Sequence, residues 1–339
     1  MRYFLTGHTG FKGSWYSLKL KLQGHEVFGY SLDPLENGLF VAGNIKSLLS
    51  QDTRADIRDA SLLKSEIERV QPDVVVHMAA QPLVSTSYQH PNETFEINVG
   101  GTLNLLNACV NVTSLKAIAI ITTDKVYQNT GDRRAFVESD ALGVGDPYST
   151  SKAMADLLAQ SWMLNITKSP IGVFRAGNVI GGGDVSINRL IPDLVNAERA
   201  NRAVLLRNPG AVRPWQHVLD CLAGYQNAID WLIKSQQNVI LNFGPDFKDY
   251  KSVEDVAKKY IEISGKGSVN ISKDNSLREA DFLTLNSSKA RELLSWKDKL
   301  DFNESLLYTH NWYKAQAERL DMLEFSKEQI KSFELKELK

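Results

Sequence analysis

The feature that most constrains this chain is its opening stretch, MRYFLTGHTGFKGSW, in which a short apolar run leads into Gly7, Gly10 and Gly13. Gly7 suits a tight turn that a Cβ would strain. Gly10 lets the backbone approach a pyrophosphate closely, and Gly13 lets the following helix pack against the strand. Free N–H groups at the start of that helix would hold phosphate oxygens. An ordinary glycine-rich turn is the alternative, but the order of strand, glycines and helix predicts a dinucleotide site.

The pattern that follows predicts an α/β fold, a Rossmann-like doubly wound parallel sheet. Short apolar runs alternate with helix-length amphipathic segments through the first half of the chain. The predicted strands are Tyr3–Thr6, Glu26–Ser31, Asp73–Met78, Lys116–Thr122 and Ile171–Arg175. The predicted helices are Gly13–Gln23, Ser61–Val70, Asn92–Asn111 and Ser149–Asn165. Runs rich in Val and Ile that are separated by helices indicate a parallel sheet covered on both faces.

The alternation of apolar runs and amphipathic segments becomes less regular after Arg175, which predicts a second, smaller lobe of mixed structure. We expect a dinucleotide-binding domain over residues 1–177, an interleaved lobe over 178–325 and a charged helix or tail over 326–339. Within the lobe we expect a helix near Asn188–Ala200 and strands near Val204–Arg207 and Trp215–Leu219. A length of 339 residues agrees with about two domains.

Composition excludes several classes of protein. The net charge of −1 creates no strong field for nucleic acid or an anionic membrane, and no stretch reaches the roughly 20 apolar residues of a membrane span. The N-terminus does not resemble a signal peptide, so the cytoplasm is the expected location. Cys109 and Cys221 are too few for a disulfide framework or a zinc site. His77 and His217 have no accompanying carboxylate or thiol cluster, so we expect core histidines and no metal.

The choice of dinucleotide depends on the end of the second strand. An acid there usually binds the adenosine ribose and selects NAD. In VFGYSLDP, Ser31 lies near the expected place and Asp33 slightly after it, and Ser31 would not repel a 2′-phosphate. Asp56, in the stretch ADIRD, suits the adenine amino group. We expect NAD as the cofactor and leave NADP open.

A tyrosine and a lysine predict proton transfer at a hydroxyl group. In DPYSTSKA, Tyr148 and Lys152 are four residues apart, which places both on one face of a helix. A nearby lysine cation would lower the pKa of the phenol from near 10 toward a useful pH. Thr123, in ITTDK at a strand end, would supply a hydroxyl to the same substrate oxygen. The alternative is an ordinary surface pair on a helix.

These motifs resemble the extended short-chain dehydrogenase/reductase family. Several longer stretches are similar to the CDP-glucose 4,6-dehydratases within it: TGHTGFKGSW, HMAAQPLVSTSY, TTDKVY, DPYSTSKA, RAGNVIGGGD and RNPGAVRPWQHVLD. The resemblance extends to READFLTLNSSKARELLSW and so covers most of the chain. The chain departs from the family pattern at Val185, where tryptophan is usual, at Arg278, where histidine is usual, and at Val144, where glycine is usual.

The resemblance implies an NAD-dependent lyase that dehydrates a nucleotide-activated hexose, CDP-glucose, at C4 to C6. It implies a cofactor site formed by Gly7, Gly10, Phe11, Lys12, Gly13, Ser31, Asp56, Ile57, Ala79, Ala80, Gln81, Asn98, Tyr148 and Lys152. It implies substrate contacts from Gln81, Thr123, Asn178, Arg189, Arg207 and Arg213. It also implies a homodimer or a dimer of dimers.

Catalysis is assigned to Thr123, Asp124, Lys125, Tyr148 and Lys152. A dehydratase needs two proton-transfer groups beyond those of a simple epimerase, one at C5 and one at O6. The resemblance supplies Asp124 as the acid toward O6 and Lys125 as the base at C5. Because adjacent charges favour both ionised forms, we expect a coupled pair sharing one proton. A structural salt bridge at the strand end is the alternative.

The arginines of the second lobe predict a diphosphate-binding site. Arg213 precedes Pro214-Trp215, Arg207 lies on the preceding strand, and Arg189 with Asn178 borders the glycine-rich loop. Guanidinium forks match phosphate oxygens, although each arginine could instead be a surface residue. A dehydratase for another sugar nucleotide, a 4-epimerase and a non-catalytic dinucleotide-sensing module remain the alternative functions.

Overall fold

The computed structural model of the chain describes residues 1–164, 166–246, 250–271 and 280–337. Arg278 and Asn165, which the sequence analysis singled out, lie outside the described residues. The strands are β1 (Arg2–Thr6), β2 (Glu26–Ser31), β3 (Gln51–Arg54), β4 (Val74–His77), β5 (Ala117–Thr122), β6 (Ile171–Ala176), β7 (Val179–Ile180), β8 (Ala203–Leu206), β9 (Val212–Arg213), β10 (Gln216–His217), β11 (Val239–Phe243), β12 (Lys251–Ser252) and β13 (Ser268–Ile271).

Helices cover both faces of the sheet and form much of the second lobe. The α-helices are α1 (Phe11–Leu22), α2 (Leu39–Ala42), α3 (Ala60–Val70), α4 (Val84–Gln89), α5 (Pro91–Phe95), α6 (Gly101–Cys109), α7 (Pro147–Trp162), α8 (Leu190–Arg199), α9 (Val218–Ser235), α10 (Val253–Ser264), α11 (Ser288–Leu294), α12 (Phe302–Ala317) and α13 (Met322–Leu335). Turns of 3₁₀ helix are Ile45–Leu48 and Asp124–Val126, and Glu96–Gly100 forms a π-helical turn. No helix among the described residues is long and apolar enough to cross a bilayer.

The central sheet has seven parallel strands in the order β3-β2-β1-β4-β5-β6-β11. Strands β2 and β3 extend the sheet on one side of β1, whereas β4 to β6 and β11 extend it on the other. This is the doubly wound arrangement that the sequence predicts, and the expected ligand crevice lies beyond the carboxyl ends of β1 and β4.

Alternation along the buried strands gives the sheet its two cores. On β1, Tyr3 and Leu5 join the cluster that contains Trp15 of α1, whereas Phe4 between them joins the cluster that contains Leu63 of α3. Side chains of a strand point alternately to opposite faces, so a fully buried strand is apolar throughout. The continuous apolar runs that predicted the strands therefore reflect burial on both faces.

The second lobe has mixed structure, as predicted, because it contains two-stranded sheets beside its helices. Strand β7 pairs with β10 and β8 with β13, both parallel, whereas β9 pairs with β12 antiparallel. The same segment of the chain also returns to the central sheet, because β11 pairs with β6 from Val239 opposite Gly172 to Phe243 opposite Ala176. Neither β3 nor β11 is among the predicted strands, since β3 (QDTR) is polar and a short apolar run such as that of β11 does not distinguish a strand from a buried helix. The division at residue 177 remains a prediction.

One predicted element was wrong in extent. The strand predicted over Trp215–Leu219 ends at His217, because the Nδ1 of His217 accepts a hydrogen bond from the Leu219 backbone N–H at 3.3 Å and α9 begins there. The helix predicted over Asn92–Asn111 is confirmed: α5, the π-helical turn and α6 follow one another without a gap over residues 91–109. At the C-terminus, α13 is a helix that buries Ile330 and Phe333.

Candidate active site

A cavity of about 1500 Å³ opens beyond the carboxyl ends of the central strands. It runs from the glycine turn after β1, past the ends of β4, β5 and β6, to helix α8 and strand β8. With the exception of Asn98, the structure brings every residue predicted for the cofactor, the substrate or catalysis to the wall of this cavity. The fold thus assembles one site from segments spread over more than 200 residues.

The glycine turn leaves no room for larger side chains. Gly7 has a φ of +73°, and a Cβ there would lie 2.7 Å from the backbone nitrogen of Ala79. A Cβ at Gly13 would overlap the carbonyl oxygen of Gly7. Gly10 is the N-cap of α1, and the first turn of that helix carries no acidic residue. The backbone of the turn therefore presents free N–H groups and a positive helix end, which fit the pyrophosphate of a dinucleotide.

Two other residues of α1 face the cavity. The Nζ of Lys12 donates a hydrogen bond to the hydroxyl of Tyr225 at 3.2 Å and lies 5.4 Å from the centre of that ring. Burial lowers the pKa of Lys12. Phe11 contacts the backbone near Gly181, where a Cβ would come within 3.1 Å of its ring. Lys12 therefore contacts α9, and its charge acts on Asp124 and Lys152.

The residues predicted to hold the adenosine lie together beside β2 and β3. The hydroxyl of Ser31 hydrogen-bonds that of Thr9 at 2.8 Å. Asp56 is paired with Arg58 at 2.7 Å, and this hydrogen-bonded guanidinium lowers the pKa of the carboxyl. Ile57 is buried against α6. Ser31 and Asp56 form a polar surface suited to a ribose, and Ile57 adds an apolar surface suited to a flat ring.

The segment after β4 forms the next part of the wall. Ala79, Ala80 and Gln81 line the cavity. Asn98 lies behind them, where its Oδ1 accepts the Gln81 backbone N–H at 2.8 Å and its Nδ2 donates to the hydroxyl of Ser151 at 2.8 Å. In this structure Asn98 holds the wall in place, and its predicted cofactor contact stays a prediction.

Helix α7 carries the tyrosine and the lysine. Asp146 caps this helix by accepting the Ser149 backbone N–H at 2.9 Å, and Pro147 occupies its first turn. Tyr148 and Lys152 are both buried one helical turn apart. The Nζ of Lys152 donates to the carbonyl oxygen of Ile121 on β5 at 2.8 Å. The cap therefore fixes where the helix begins and, with it, which side of the helix faces the cavity.

The protonation of this pair differs from the prediction. Burial raises the pKa of Tyr148 to about 12, and Thr123 and Arg189 oppose that rise. Burial also lowers the pKa of Lys152 to about 8, helped by repulsion from Lys12 and opposed by Asp156. The expectation that Lys152 brings the phenol toward neutral pH is wrong for this arrangement, because loss of solvent is the largest effect on both groups.

Thr123, Asp124 and Lys125 follow β5 and face the same space. The Thr123 hydroxyl donates to Oδ1 of Asp124 at 3.0 Å. Oδ2 of Asp124 is buried and accepts no hydrogen bond from the described residues. No salt bridge within 4.0 Å joins Asp124 to Lys125, which is only half-buried. The alternative of a structural salt bridge at the strand end is therefore not supported by the geometry.

Asp124 is electrostatically suited to carry a proton. Burial raises the pKa of its carboxyl, while the charges of Lys125 and Arg213 and the Thr123 hydroxyl oppose the rise. Gly177 provides the space for the carboxyl, since a Cβ at that position would overlap it. The unpartnered Oδ2 is thus a position at which a proton can be held and donated.

The predicted diphosphate arginines also line the cavity. Arg213 is buried, donates to the carbonyl oxygen of Val212 at 2.9 Å and acts on the charge of Asp124. Arg189 is paired with Asp184 at 3.2 Å, and Arg207 is exposed. Asn178 adopts a φ of +43° between β6 and β7. The cavity therefore carries positive charge close to the carboxyl of Asp124.

The two histidines considered as metal ligands are core residues. His77 hydrogen-bonds the hydroxyls of Thr6 and Thr102, at 2.8 and 3.1 Å, and burial lowers its pKa to about 3. Burial has the same effect on His217, the cap of α9.

Sequence reasoning missed two parts of the site. Tyr225 contacts Lys12 from α9, and nothing in the sequence links positions so far apart. On the same helix as Tyr148 and Lys152, Asp156 forms a buried ion pair with Arg175. Asp156 follows Lys152 by four residues on α7, so helical spacing was a signal that could have found it.

Comparison with known sequences identifies relatives over the full length of the chain. The sequence model of the GDP-mannose 4,6 dehydratase family matches residues 4–308. The CDP-glucose 4,6-dehydratase of Salmonella typhimurium is 40% identical over 98% of this chain and 96% of its own. The dTDP-D-glucose 4,6-dehydratase of Mus musculus is 28% identical over 77% of this chain and 73% of its own.

Solved structures share the fold over nearly the whole chain. The dTDP-glucose 4,6-dehydratase of Bacillus anthracis, solved in complex with NAD, has a TM-score of 0.80 and 24% identity and covers 95% of this chain and 99% of its own. The UDP-glucose-4-epimerase of Stenotrophomonas maltophila, solved with NAD and a formylated UDP-arabinopyranose, has a TM-score of 0.82 and 22% identity over 94% of this chain and 99% of its own. At these identities the likeness is one of fold.

Proposed function

Because this chain belongs to the GDP-mannose 4,6 dehydratase family, we propose that it is an NAD-dependent lyase that converts CDP-glucose to CDP-4-keto-6-deoxyglucose. The relative at 40% identity, which carries the name CDP-glucose 4,6-dehydratase, supports the choice of substrate. The observation that carries the proposal is the meeting of Thr123, Asp124 and Lys125 with Tyr148 and Lys152 in one cavity. An epimerase needs the tyrosine, whereas elimination of water needs two further proton-transfer groups.

The glycine turn, the adenosine wall and the segment after β4 fit a dinucleotide, as the overlap of any Cβ at Gly7 or Gly13 with neighbouring backbone indicates. When bound, NAD would supply a reversible hydride acceptor for oxidation at C4 and reduction at C6. The catalysis contributed by the chain is therefore the binding of the sugar nucleotide and the movement of protons at O4, C5 and O6.

Tyr148 is the group proposed to remove the proton from the 4-hydroxyl. Burial keeps its pKa at about 12, so the phenolate needs positive charge close by, and Arg189 already lowers that pKa. Lys152, with a pKa of about 8, can exchange a proton near neutral pH. Thr123 adds a hydroxyl beside the phenol and orients the oxygen that is being deprotonated.

Elimination of water follows from the 4-keto group, which makes the C5 proton acidic. Lys125 is the proposed base at C5, and Asp124 is the proposed acid at O6. The raised pKa of Asp124 supports this role, because burial favours the protonated carboxyl, the form that can give a proton to the departing hydroxyl. As the C5–H bond breaks, the C5=C6 bond forms and water leaves. Hydride at C6 and a proton at C5 then complete the product with no net redox change.

The direct test is incubation with CDP-glucose in the presence of NAD. We expect a 4-keto-6-deoxy product, uptake of solvent deuterium at C5 and no accumulation of NADH. Steady accumulation of NADH would instead indicate a plain dehydrogenase. Formation of a 4-epimer without deuterium uptake would indicate an epimerase.

Lys125→Met separates dehydration from the earlier oxidation. Hydride transfer from C4 should continue, because Tyr148 and Lys152 remain, but elimination should stall. The enzyme should then hold NADH and a 4-keto hexose, with no deuterium at C5. Lys116→Met is the matched control, since Lys116 lies just before the same strand, half-exposed and 2.8 Å from Asp73, and this variant should turn over normally. Normal turnover of Lys125→Met would remove Lys125 from the mechanism.

A homodimer in the cytoplasm is part of the proposal. Met154 and Leu157 on the outer side of α7, and Tyr88 on the neighbouring α4, are each about half exposed. The opposite side of α7 carries the catalytic residues, so a second copy packed on the apolar side would also stabilise the site. Sedimentation should give a dimer for the wild type and a monomer for Met154→Glu. A monomeric wild type would contradict this part of the proposal.

A further inference from the structure

One end of the cavity takes no part in the hydride and proton transfers proposed above. It lies between α8, β8 and the start of α10. The residues that line it include Pro192, Asp193, Leu206, Arg207, Ala211 and Val253. With the dinucleotide at the glycine turn and the hexose beside Tyr148, this end is left for the nucleoside of the sugar nucleotide.

The walls of this end are apolar. Leu206 and Ala211 are almost completely buried, Pro192 is buried in the first turn of α8, and Val253 begins α10. Apolar side chains from separate elements, with a few polar groups between them, are typical of a pocket that binds a flat ring and reads its edge. The polar groups at this end are therefore the ones that can distinguish one base from another.

Asp193 places a carboxyl group at this end of the cavity. It lies on α8, where its backbone N–H donates to the carbonyl oxygen of Arg189 at 3.0 Å, and its side chain is half-buried. The carboxylate accepts no hydrogen bond from the residues that the structure describes. Burial raises the pKa of this carboxyl, and the charges of Arg207 and Arg202 oppose the rise. A base that fills this end of the cavity would remove water from the half-buried carboxylate, and this is favourable only if the base supplies a donor in its place.

We propose that Asp193 determines the nucleobase of the substrate by accepting a hydrogen bond from the exocyclic amino group of cytosine. This inference rests on the proposed function. Cytosine presents an N4 amino donor, whereas uracil and thymine present an O4 acceptor at the same position, and carboxylates are suited to accept from cytosine N4. A carboxylate facing O4 would place two acceptors against each other and would exclude those two bases.

A second carboxylate at the same end serves as the matched control. Asp281 is exposed and already accepts a hydrogen bond from Nδ2 of Asn208 at 2.9 Å. It therefore needs no donor from a ligand. Conversion of Asp281 to asparagine changes the net charge of this end of the cavity as much as conversion of Asp193, but it removes no unsatisfied acceptor.

The experiment compares binding of CDP, UDP and dTDP to the NAD-loaded enzyme by calorimetry, in the wild type, Asp193→Asn and Asp281→Asn. These ligands contain no sugar to be dehydrated, so binding is measured apart from catalysis. We expect the wild type to bind CDP about ten- to a hundredfold more tightly than UDP or dTDP. Asp193→Asn, whose amide can donate as well as accept, should reduce this ratio to near one, and Asp281→Asn should keep it.

Three outcomes would overturn the inference. The wild type could show no preference for CDP, which needs no variant to observe. Asp193→Asn could weaken CDP and UDP by the same factor, which would mean that Asp193 only holds Arg207 in place. Asp281→Asn could lower the ratio as much as Asp193→Asn. Failure of the proposed function is seen separately, as the absence of a keto-deoxy product from CDP-glucose with wild-type enzyme.

Discussion

Two groups of charged side chains lie at the same edge of the central sheet, and they are arranged in opposite ways. The first is the buried pair of Asp156 and Arg175, in which two guanidinium nitrogens each lie 2.8 Å from a carboxylate oxygen. Thr122 and Gln160 also donate to Asp156, and Arg175 donates to the hydroxyl of Tyr127. In this pair both carboxylate oxygens accept hydrogen bonds.

The second group contains the proposed catalytic residues, and its hydrogen bonding is incomplete. Asp124 has a buried oxygen without a hydrogen-bond donor among the described residues, and Tyr148 and Lys152 are buried with pKa values of about 12 and 8. The same elements, β5 and α7, carry members of both groups. Thr122 and Thr123 are adjacent, yet Thr122 donates to Asp156 of the buried pair, whereas Thr123 faces the cavity.

The difference shows where the fold stores stability and where it keeps reactivity. A charged pair with all its hydrogen bonds satisfied fixes α7 against β5 and β6. The residues one turn away can then remain desolvated, with Oδ2 of Asp124 left without a donor among the described residues, because the buried pair holds the elements that carry them. The predictions below test each side of this comparison, from the largest expected effect to the smallest.

Tyr148→Phe should have the largest effect, on the reactive side. Loss of the phenol should lower kcat by about 10²- to 10⁴-fold, the range of general acid–base contributions, while the remaining ring keeps substrate Kd nearly unchanged. Steady-state kinetics and calorimetric titration of substrate measure the two quantities. Weakened binding with a normal kcat would mean that Tyr148 positions the substrate only.

Asp156→Ala should have a large effect on the stable side. Removing one partner leaves the Arg175 charge buried and unpaired, which costs about 3–5 kcal/mol of unfolding free energy. Urea denaturation measures the loss. The double variant Asp156→Leu with Arg175→Met should recover much of it, since it leaves no buried charge. A loss below about 1 kcal/mol for Asp156→Ala would contradict the structural role.

Lys152→Met should stabilise the free enzyme while it abolishes turnover. The pKa of Lys152 falls from its ordinary 10.5 to about 8 on folding, so below pH 8 a protonated lysine costs about 3 kcal/mol. Between pH 8 and 10.5 the unfolded chain binds the proton that the folded chain has released, so wild-type stability rises with pH. The advantage of the variant should therefore shrink across this window. Urea midpoints from pH 7 to 10.5 test this, and a variant less stable than the wild type at pH 7 would contradict it.

Arg213→Ala should have the smallest of these effects. Loss of a buried charged donor to a diphosphate should weaken substrate binding by about 1.5–3 kcal/mol. Arg199→Ala is the control, because Arg199 is exposed on α8 and bonds Gln316 away from the cavity. A substrate Kd that is the same in both variants would place the diphosphate elsewhere.

The local features of this protein follow from its sequence. The glycine turn and the alternation of apolar runs predicted the doubly wound sheet, because backbone freedom and burial on two faces depend on residue type and spacing. Helical periodicity likewise predicted that Tyr148 and Lys152 share a face, and Asp146-Pro147 is a recognisable helix start. The family resemblance added the roles of Asp124 and Lys125, which spacing alone does not indicate.

The features that only the tertiary structure decided are those that depend on distant segments. The pairing of β11 with β6, more than 60 residues earlier in the chain, was not predicted, and neither was the contact of Lys12 with Tyr225, which joins the turn after β1 to α9. The sign of the pKa shift at Tyr148 was also mispredicted, since it is set by how completely folding removes water and not by the lysine four residues away. Sequence spacing determines which groups can be neighbours, whereas burial, a sum over the whole fold, determines which of them carry charge.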